Sequence, residues 1–188
     1  MTVALRTSRL ILRLAMQEDI PAILRYLNES QEFLAPFEPI QPTGFQTKQY
    51  WRDQVARSFQ QFQSGQSLRL FLFEKTSPKT IIGTANFTNF VYYPFYCCHL
   101  GYGLTRDYQG QGLMQEALEE AIRYVFGQMQ CHRIQANYMP RNQRSANVLK
   151  RLGFQTEGEA KDYLLINGVW EDHILTSLTN PYWSLDSP

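Results

Sequence analysis

The chain has 188 residues, 44% of them hydrophobic and 19% charged, with a formal net charge of +1. That length is enough to bury a core in one domain, and the near-neutral charge excludes a global field suited to nucleic acid or an anionic membrane. Three cysteines make neither a disulfide framework nor a zinc-ligand spacing, and Arg6, Arg9 and Arg13 break every early apolar run, so a cytoplasmic chain with no signal peptide, membrane span or metal is expected.

Leu5 to Leu14 alternates about Leu10, Leu12 and Leu14 and reads as the first strand. A helix follows from Met16, with Asp19 as its cap, Pro21 in its first turn, and Ile23, Leu24 and Leu27 on its apolar face. Asn28 to Thr47 carries Pro36, Pro39 and Pro42 without a sustained period, so a loop is expected, of a length that often forms a binding surface. A second helix is expected over Gln49 to Gln63, where Trp51, Val55, Phe59 and Phe62 recur at helical spacing. Phe33, Phe37 and Trp51 read more readily as core than as a substrate wall.

Ser67 to Glu74 and Thr80 to Asn89 read as an antiparallel pair turned at Ser77-Pro78-Lys79. The aromatic run from Phe90 to Tyr96 is interrupted by Pro94 and reads as a packed hairpin or as a wall for a substrate. Cys97 to Leu104 is the central strand, and Leu113 to Met129 is a long amphipathic helix. Arg133 to Met139 is the next strand, and Asn142 to Arg151 is a helix closed by Gly153. Lys161 to Ile166 and Glu171 to Leu178 flank Asn167-Gly168, a strong hairpin signal. The order β-α-α-β-β-β-α-β-α-β-β implies a mixed α/β sheet with helices on both faces. A single domain over 1–180 is expected, followed by a structureless tail at 181–188.

The loop Gln109-Gly110-Gln111-Gly112-Leu113-Met114 stands between the central strand and the long helix. The first turn of a helix has backbone N–H groups without helical partners at the positive end of its dipole, where a phosphate is stabilised. Gly110 and Gly112 permit positive φ and close approach to an anion, so the loop reads either as a pyrophosphate cradle or as a plain strand-to-helix turn. The third glycine of a dinucleotide fingerprint and the lysine of a nucleoside-triphosphate loop are both missing.

This loop resembles the Gln/Arg-x-x-Gly-x-Gly/Ala motif of the GNAT acyltransferases, with Met114 as a departure at the last position. Leu5-Arg-Thr-Ser-Arg-Leu-Ile-Leu-Arg13, Asn142-Gln-Arg-Ser145 and Leu152-Gly-Phe-Gln-Thr-Glu-Gly158 resemble the Rim branch of that family. Members of that branch acetylate the N-terminal amine of ribosomal proteins, and the nearest subgroup acts on an N-terminal alanine of a small-subunit protein. The resemblance implies a mostly antiparallel sheet splayed at its centre, acetyl-CoA as cosubstrate, no metal, and a ribosomal protein N-terminus as acceptor. By the same resemblance Gln109, Gly110, Gln111, Gly112, Leu113 and Met114 hold the pyrophosphate. The backbone at Gly103 and Leu104 meets pantetheine, and an N–H within Gly101 to Gly103 polarises the thioester carbonyl. Asn142 bonds the pantetheine arm, and Ser145 contacts it and protonates the leaving sulfur. Plain helix capping by Asn142, with Ser145 three residues later, is the competing account of that pair.

An N-terminal amine has a pKa of about 7.7–8.0, so a strong base is not obligatory. His99 is either structural or turned to substrate. Asp162, Glu171 and Asp172 either receive the ammonium or act as edge charges. A small-amine acetyltransferase, acting on an antibiotic or a polyamine, and a non-catalytic ribosome-assembly factor are the alternatives. Monomer and homodimer both fit the sequence.

Overall fold

The computed structural model describes residues 3–185. The first expected strand is two: β1 (Ala4–Arg6) and β2 (Leu10–Arg13) form a hairpin. The turn between them is closed by a hydroxyl rather than by Gly or Pro, which is why alternation alone does not reveal it. Thr7 N–H donates to Leu10 O at 3.0 Å, and Leu10 N–H donates to Thr7 Oγ1 at 3.0 Å.

A 3₁₀ turn at Gln17–Asp19 leads into α1 (Ile20–Leu34). Asp19 stands at the cap position but makes no side-chain bond into α1. Its carboxylate accepts the Met16 N–H at 2.7 Å and both guanidinium nitrogens of Arg13 at 2.6 and 2.8 Å. The side chains of this pair are 20% and 9% exposed, so the ion pair is a buried tie between β2 and the entry of α1. Asp19→Asn keeps an acceptor for Met16 but strands the Arg13 charge, and a loss of about 2–3 kcal/mol is expected. Denaturant titration followed by circular dichroism reads it; an unchanged midpoint would remove the tie from the account.

α1 continues through the polar residues from Asn28 to Leu34, which have the composition of a loop, and Pro36 follows soon after its end. The Ser30 hydroxyl donates to Tyr26 O at 2.6 Å within the helix. Thr47 caps α2 (Lys48–Gln63), its Oγ1 accepting the Tyr50 N–H. In β3 (Leu68–Glu74) the two faces divide cleanly. Leu68, Leu70 and Leu72 join the core under the later helices, while Phe71 and Phe73 pack with Ile23, Tyr26 and Val55 of α1 and α2.

β4 (Ser77–Val91) begins earlier than expected, because Ser77 already pairs with Glu74 and the chain turns at 75–76. β5 (Cys97–Leu104), α3 (Leu113–Gln128) and α4 (Gln143–Arg151) fall at or within a residue of their expected bounds. β6 (Arg133–Gln135) is shorter, whereas β7 (Gln155–Ile166) and β8 (Val169–Thr179) are longer. Asn167 and Gly168 carry φ of +46° and +83°, the backbone that a two-residue hairpin turn demands.

The strands form one sheet in the order β1-β2-β3-β4-β5-β6-β8-β7, antiparallel except for β5 against β6. That parallel pair holds for only three residue pairs, Cys97 with Arg133 through His99 with Gln135. Beyond it the chain stays with β8, Ala136 N–H donating to Thr176 O at 3.0 Å and Tyr138 N–H to Ile174 O at 3.2 Å. β5 stays with β4 as far as Leu104. The sheet is therefore splayed at its centre, as the resemblance implies. α3 covers one face with Leu113, Ala117, Leu118, Ala121 and Val125, and α1 with α2 covers the other. The tail shows no helix or strand as far as Leu185, yet Trp183 pins it: its indole N–H donates to Gln130 O at 2.9 Å, and its ring lies 4.7 Å from that of Tyr96. Residues 186–188 of the expected tail, and 1–2 of the expected domain, lie outside the described residues. Among the described residues no helix is long and apolar enough to cross a membrane.

Candidate active site

The splay opens a cleft of about 980 Å³ beside the free edge of β5. Gly101, Gly103 and Leu104 line it from the strand, and Gly110, Gly112 and Met114 from the loop and helix beyond. Asn142 and Ser145 line the opposite side, from the start of α4. Residues from three separate stretches of sequence thus converge on one opening.

Within the loop, Gly110 and Gly112 sit at φ of +73° and +75°. A Cβ at Gly110 would meet nothing within 4 Å, and one at Gly112 only Arg9 Nη2 at 3.7 Å. Both glycines are therefore demanded by backbone conformation and not by crowding. The result is a run of donors facing outward. Gln109 N–H bonds Arg106 O and Glu116 N–H bonds Gly112 O, and between them the N–H groups of residues 110–115 meet no acceptor among the described residues. Six donors at a helix N-terminus fit a pyrophosphate.

The loop is braced from outside. Gln109 Nε2 donates to Leu104 O at 3.0 Å, tying the loop to the end of β5. Gln111 turns its side chain back to Asp107 O at 2.9 Å, and its own carbonyl accepts from Arg9 Nη1 at 3.0 Å. Arg9 also pairs with Glu116; burial pushes the Glu116 carboxyl up, but its hydrogen bonds with Thr7 and Arg9 and the Arg9 charge hold it below its usual range. Met114 is 6% exposed and packs into the core beneath the loop.

At α4, Asn142 Oδ1 accepts the Ser145 N–H at 3.2 Å. The Ser145 hydroxyl lies 2.7 Å from the Tyr102 hydroxyl on β5, across the mouth of the splay. Burial pushes the Tyr102 phenol up to about 12, with the Ser145 bond and the Arg151 charge pulling the other way, so the pair is neutral and protonated near pH 7. Tyr102 was missed by sequence reasoning: alternation along β5 cannot say which side chain meets a helix more than 40 residues later.

His99, Asp162, Glu171 and Asp172 are not brought to the cleft. His99 pairs with Gln135 on β6; its Nδ1 is buried without a partner among the described residues, and burial lowers the imidazole pKa. Glu171 is held by Arg141, and Asp172 by Lys161 and the Asp162 N–H. Arg106 lies over the Phe33 ring, 5.5 Å from its centroid, and Arg144 does the same. The cleft is also lined by Arg69, Arg144, Arg151 and Glu38, with Arg151 Nε fixed on Gln115 Oε1 at 2.9 Å. Neither Arg151 nor Glu38 stood out in the sequence, because each lies in a stretch without a motif of its own. Among the described residues no group of three His, Cys, Asp or Glu is placed to hold a metal.

A family model for the acetyltransferase (GNAT) domain matches residues 9–155. The ribosomal protein uS5-alanine N-acetyltransferase of Escherichia coli (strain K12) is 44% identical over 182 residues, 97% of this chain and 93% of that one. The crystal structure of a ribosomal-protein-S5-alanine acetyltransferase from Vibrio fischeri matches with a TM-score of 0.92 at 38% identity, covering 97% of this chain and 99% of that chain. Mycobacterium smegmatis RimJ, in complex with CoA-disulfide, matches with a TM-score of 0.84 at 26% identity, covering 95% and 86%.

Proposed function

This chain belongs to the GNAT acetyltransferase family, and on that premise we propose that it transfers acetyl from acetyl-CoA to the N-terminal α-amine of a ribosomal protein, an alanine at the S5 N-terminus in the first instance. The similarity to the S5-alanine acetyltransferases over nearly the whole chain carries this reading. The cleft supports it. Donors at residues 110–115 suit the CoA pyrophosphate, and the free edge of β5 at Gly103 and Leu104 suits the amide-bearing pantetheine arm as a further strand would. Asn142 bonds that arm, and an N–H within Gly101 to Gly103 polarises the thioester carbonyl.

The proton balance is simple. The acceptor enters as an ammonium and loses one proton before its nitrogen forms the new bond to the carbonyl carbon. The carbon–sulfur bond breaks, the thiolate takes a proton from the Ser145 hydroxyl, which Tyr102 holds in place, and the second amine proton leaves the nitrogen and restores that hydroxyl. The products are an amide, CoA thiol and one proton released to solvent. We assign one acetyltransferase domain to 1–180, a tail to 181–188, a cytoplasmic site of action, and a monomer or homodimer.

A polyamine acceptor would need a series of carboxylates. Among the described residues lining the cleft there is one, beside three arginines, which favours a single ammonium. A thiol-release assay tests the reading with peptides beginning Ala, Ser or Met against spermidine and an aminoglycoside. The Ala peptide is expected to turn over at least tenfold faster than either small amine. Turnover on small amines alone would overturn the ribosomal-protein reading while leaving the family intact.

A further inference from the structure

The mechanism above leaves unassigned the group that takes the first proton from the acceptor. Glu38 follows the 3₁₀ turn Ala35–Phe37 that ends α1, on the side of the cleft away from the pyrophosphate cradle. Two bonds latch this segment to the other side of the opening. Asn167 N–H, at the β7–β8 turn, donates to Glu38 O at 3.1 Å, and Arg141 Nη2 donates to Pro36 O at 3.3 Å. The Glu38 backbone is thereby fixed, its carboxylate accepts from Gln41 at 3.4 Å, and the residue lines the cleft.

Its position relative to the reacting carbon follows from Tyr26. The Tyr26 hydroxyl would stand 3.5 Å from a Cβ on Gly103, so it touches β5 where the thioester carbonyl is expected. Tyr26, Gly103 and Glu38 line the same cleft, and burial, with the Glu38 charge adding to it, raises the Tyr26 pKa. Thr84 stands across from Gly103 on β4 and lines the same cleft as Tyr26. Every other carboxylate weighed from sequence is tied up in ion pairs or turned away from the cleft. Resting on the acetyl-transfer reading, we infer that Glu38 receives the acceptor α-ammonium and accepts its first proton, poising the amine at Gly103 for attack.

The step moves one proton from nitrogen to a carboxylate oxygen, and that proton is then released to solvent. Burial raises the Glu38 pKa above the ordinary glutamate value, which brings it closer to the amine it serves. The other charged or titratable groups among the described residues lining the opening are the arginines Arg69 from β3 and Arg144 and Arg151 from α4, His173 from β8, and the tyrosines Tyr26, Tyr50, Tyr102, Tyr108 and Tyr138. His173 is 4% exposed with Nδ1 2.9 Å from Glu171 O, so it is less free to meet an incoming amine.

The experiment is kcat/KM against pH for the Ala-initiated peptide, with the wild type, Glu38→Gln and Glu38→Asp, alongside CoA affinity by calorimetry and melting temperature. Glu38→Gln is expected to lower kcat/KM at least 30-fold at pH 7 and to move the acidic limb of the profile upward, toward the titration of the free amine. CoA affinity should stay within about threefold of the wild type, because the cradle lies elsewhere, and Glu38→Asp should recover part of the rate. Full activity in a folded Glu38→Gln with an unshifted profile would overturn the assignment. A wild type that turns over no α-amine peptide would instead overturn the acetyl-transfer reading on which it rests.

Discussion

Ser145→Ala is expected to lower kcat by roughly 10²-fold while leaving CoA affinity nearly unchanged. The figure sits at the low end of what a general acid contributes, because a thiolate with a conjugate pKa near 8.5 already leaves readily. The substitution is clean in its structural consequences. The cap at the start of α4 runs from the Ser145 N–H to Asn142 Oδ1, and alanine keeps that N–H. What is removed is the hydroxyl that meets Tyr102 at 2.7 Å. The cap and the proposed acid, indistinguishable in the sequence, fall on different atoms of Ser145, its N–H and its hydroxyl. Single-turnover kinetics with calorimetry for CoA separates them. An unchanged kcat in a normally melting variant would return Ser145 to the structural account and leave Tyr102 as the proton source to test.

Gly112→Val is expected to weaken CoA binding by roughly 10- to 30-fold. Gly112 sits at φ of +75° as the cap residue of α3, a conformation that costs an L-residue about 1–2 kcal/mol and a β-branched one more. Without ligand, the substituted loop relaxes by leaving that conformation, which re-aims the N–H groups of residues 113–115. Rebuilding the cradle on binding then costs what the relaxation released, and each 1.4 kcal/mol is tenfold in affinity. Gly127→Ala is the comparison: that glycine lies inside α3 with open space around it, so alanine there should leave affinity unchanged. Equal CoA affinities for wild type and Gly112→Val would show that the donors of this loop do not hold the phosphates.

Much of the fold was legible because its apolar periods are strong. β3 buries Leu68, Leu70 and Leu72 on one face and Phe71 and Phe73 on the other, as a near-continuous apolar run implies. α3 buries the positions its period selects. What stayed hidden was set by hydrogen bonds instead. The Thr7–Leu10 turn is closed by a hydroxyl, and residues 28–34 of α1 have the polar composition of a loop. The cleft divides in the same way. Its cradle is local in sequence, running from Gln109 to Met114, and could be read directly. Tyr102 meets Ser145, and Glu38 comes to share a cleft with Gly103, only when distant elements come together. Local chemistry left a motif; the rest is a product of topology.

Three residue pairs between β5 and β6, with the His132 and Arg133 N–H bonds to Tyr96 O just before β5, join a five-stranded and a three-stranded half of the sheet. In the binding mode proposed above, a strand-like ligand arm laid along the splay would bond one half while its phosphates meet the start of α3 and its sulfur end meets α4. Such a ligand is a cross-brace as well as a reactant. Its binding adds RT ln(1 + [L]/Kd) to the folding free energy, so the resistance of this joint to opening rises and falls with the supply of cosubstrate.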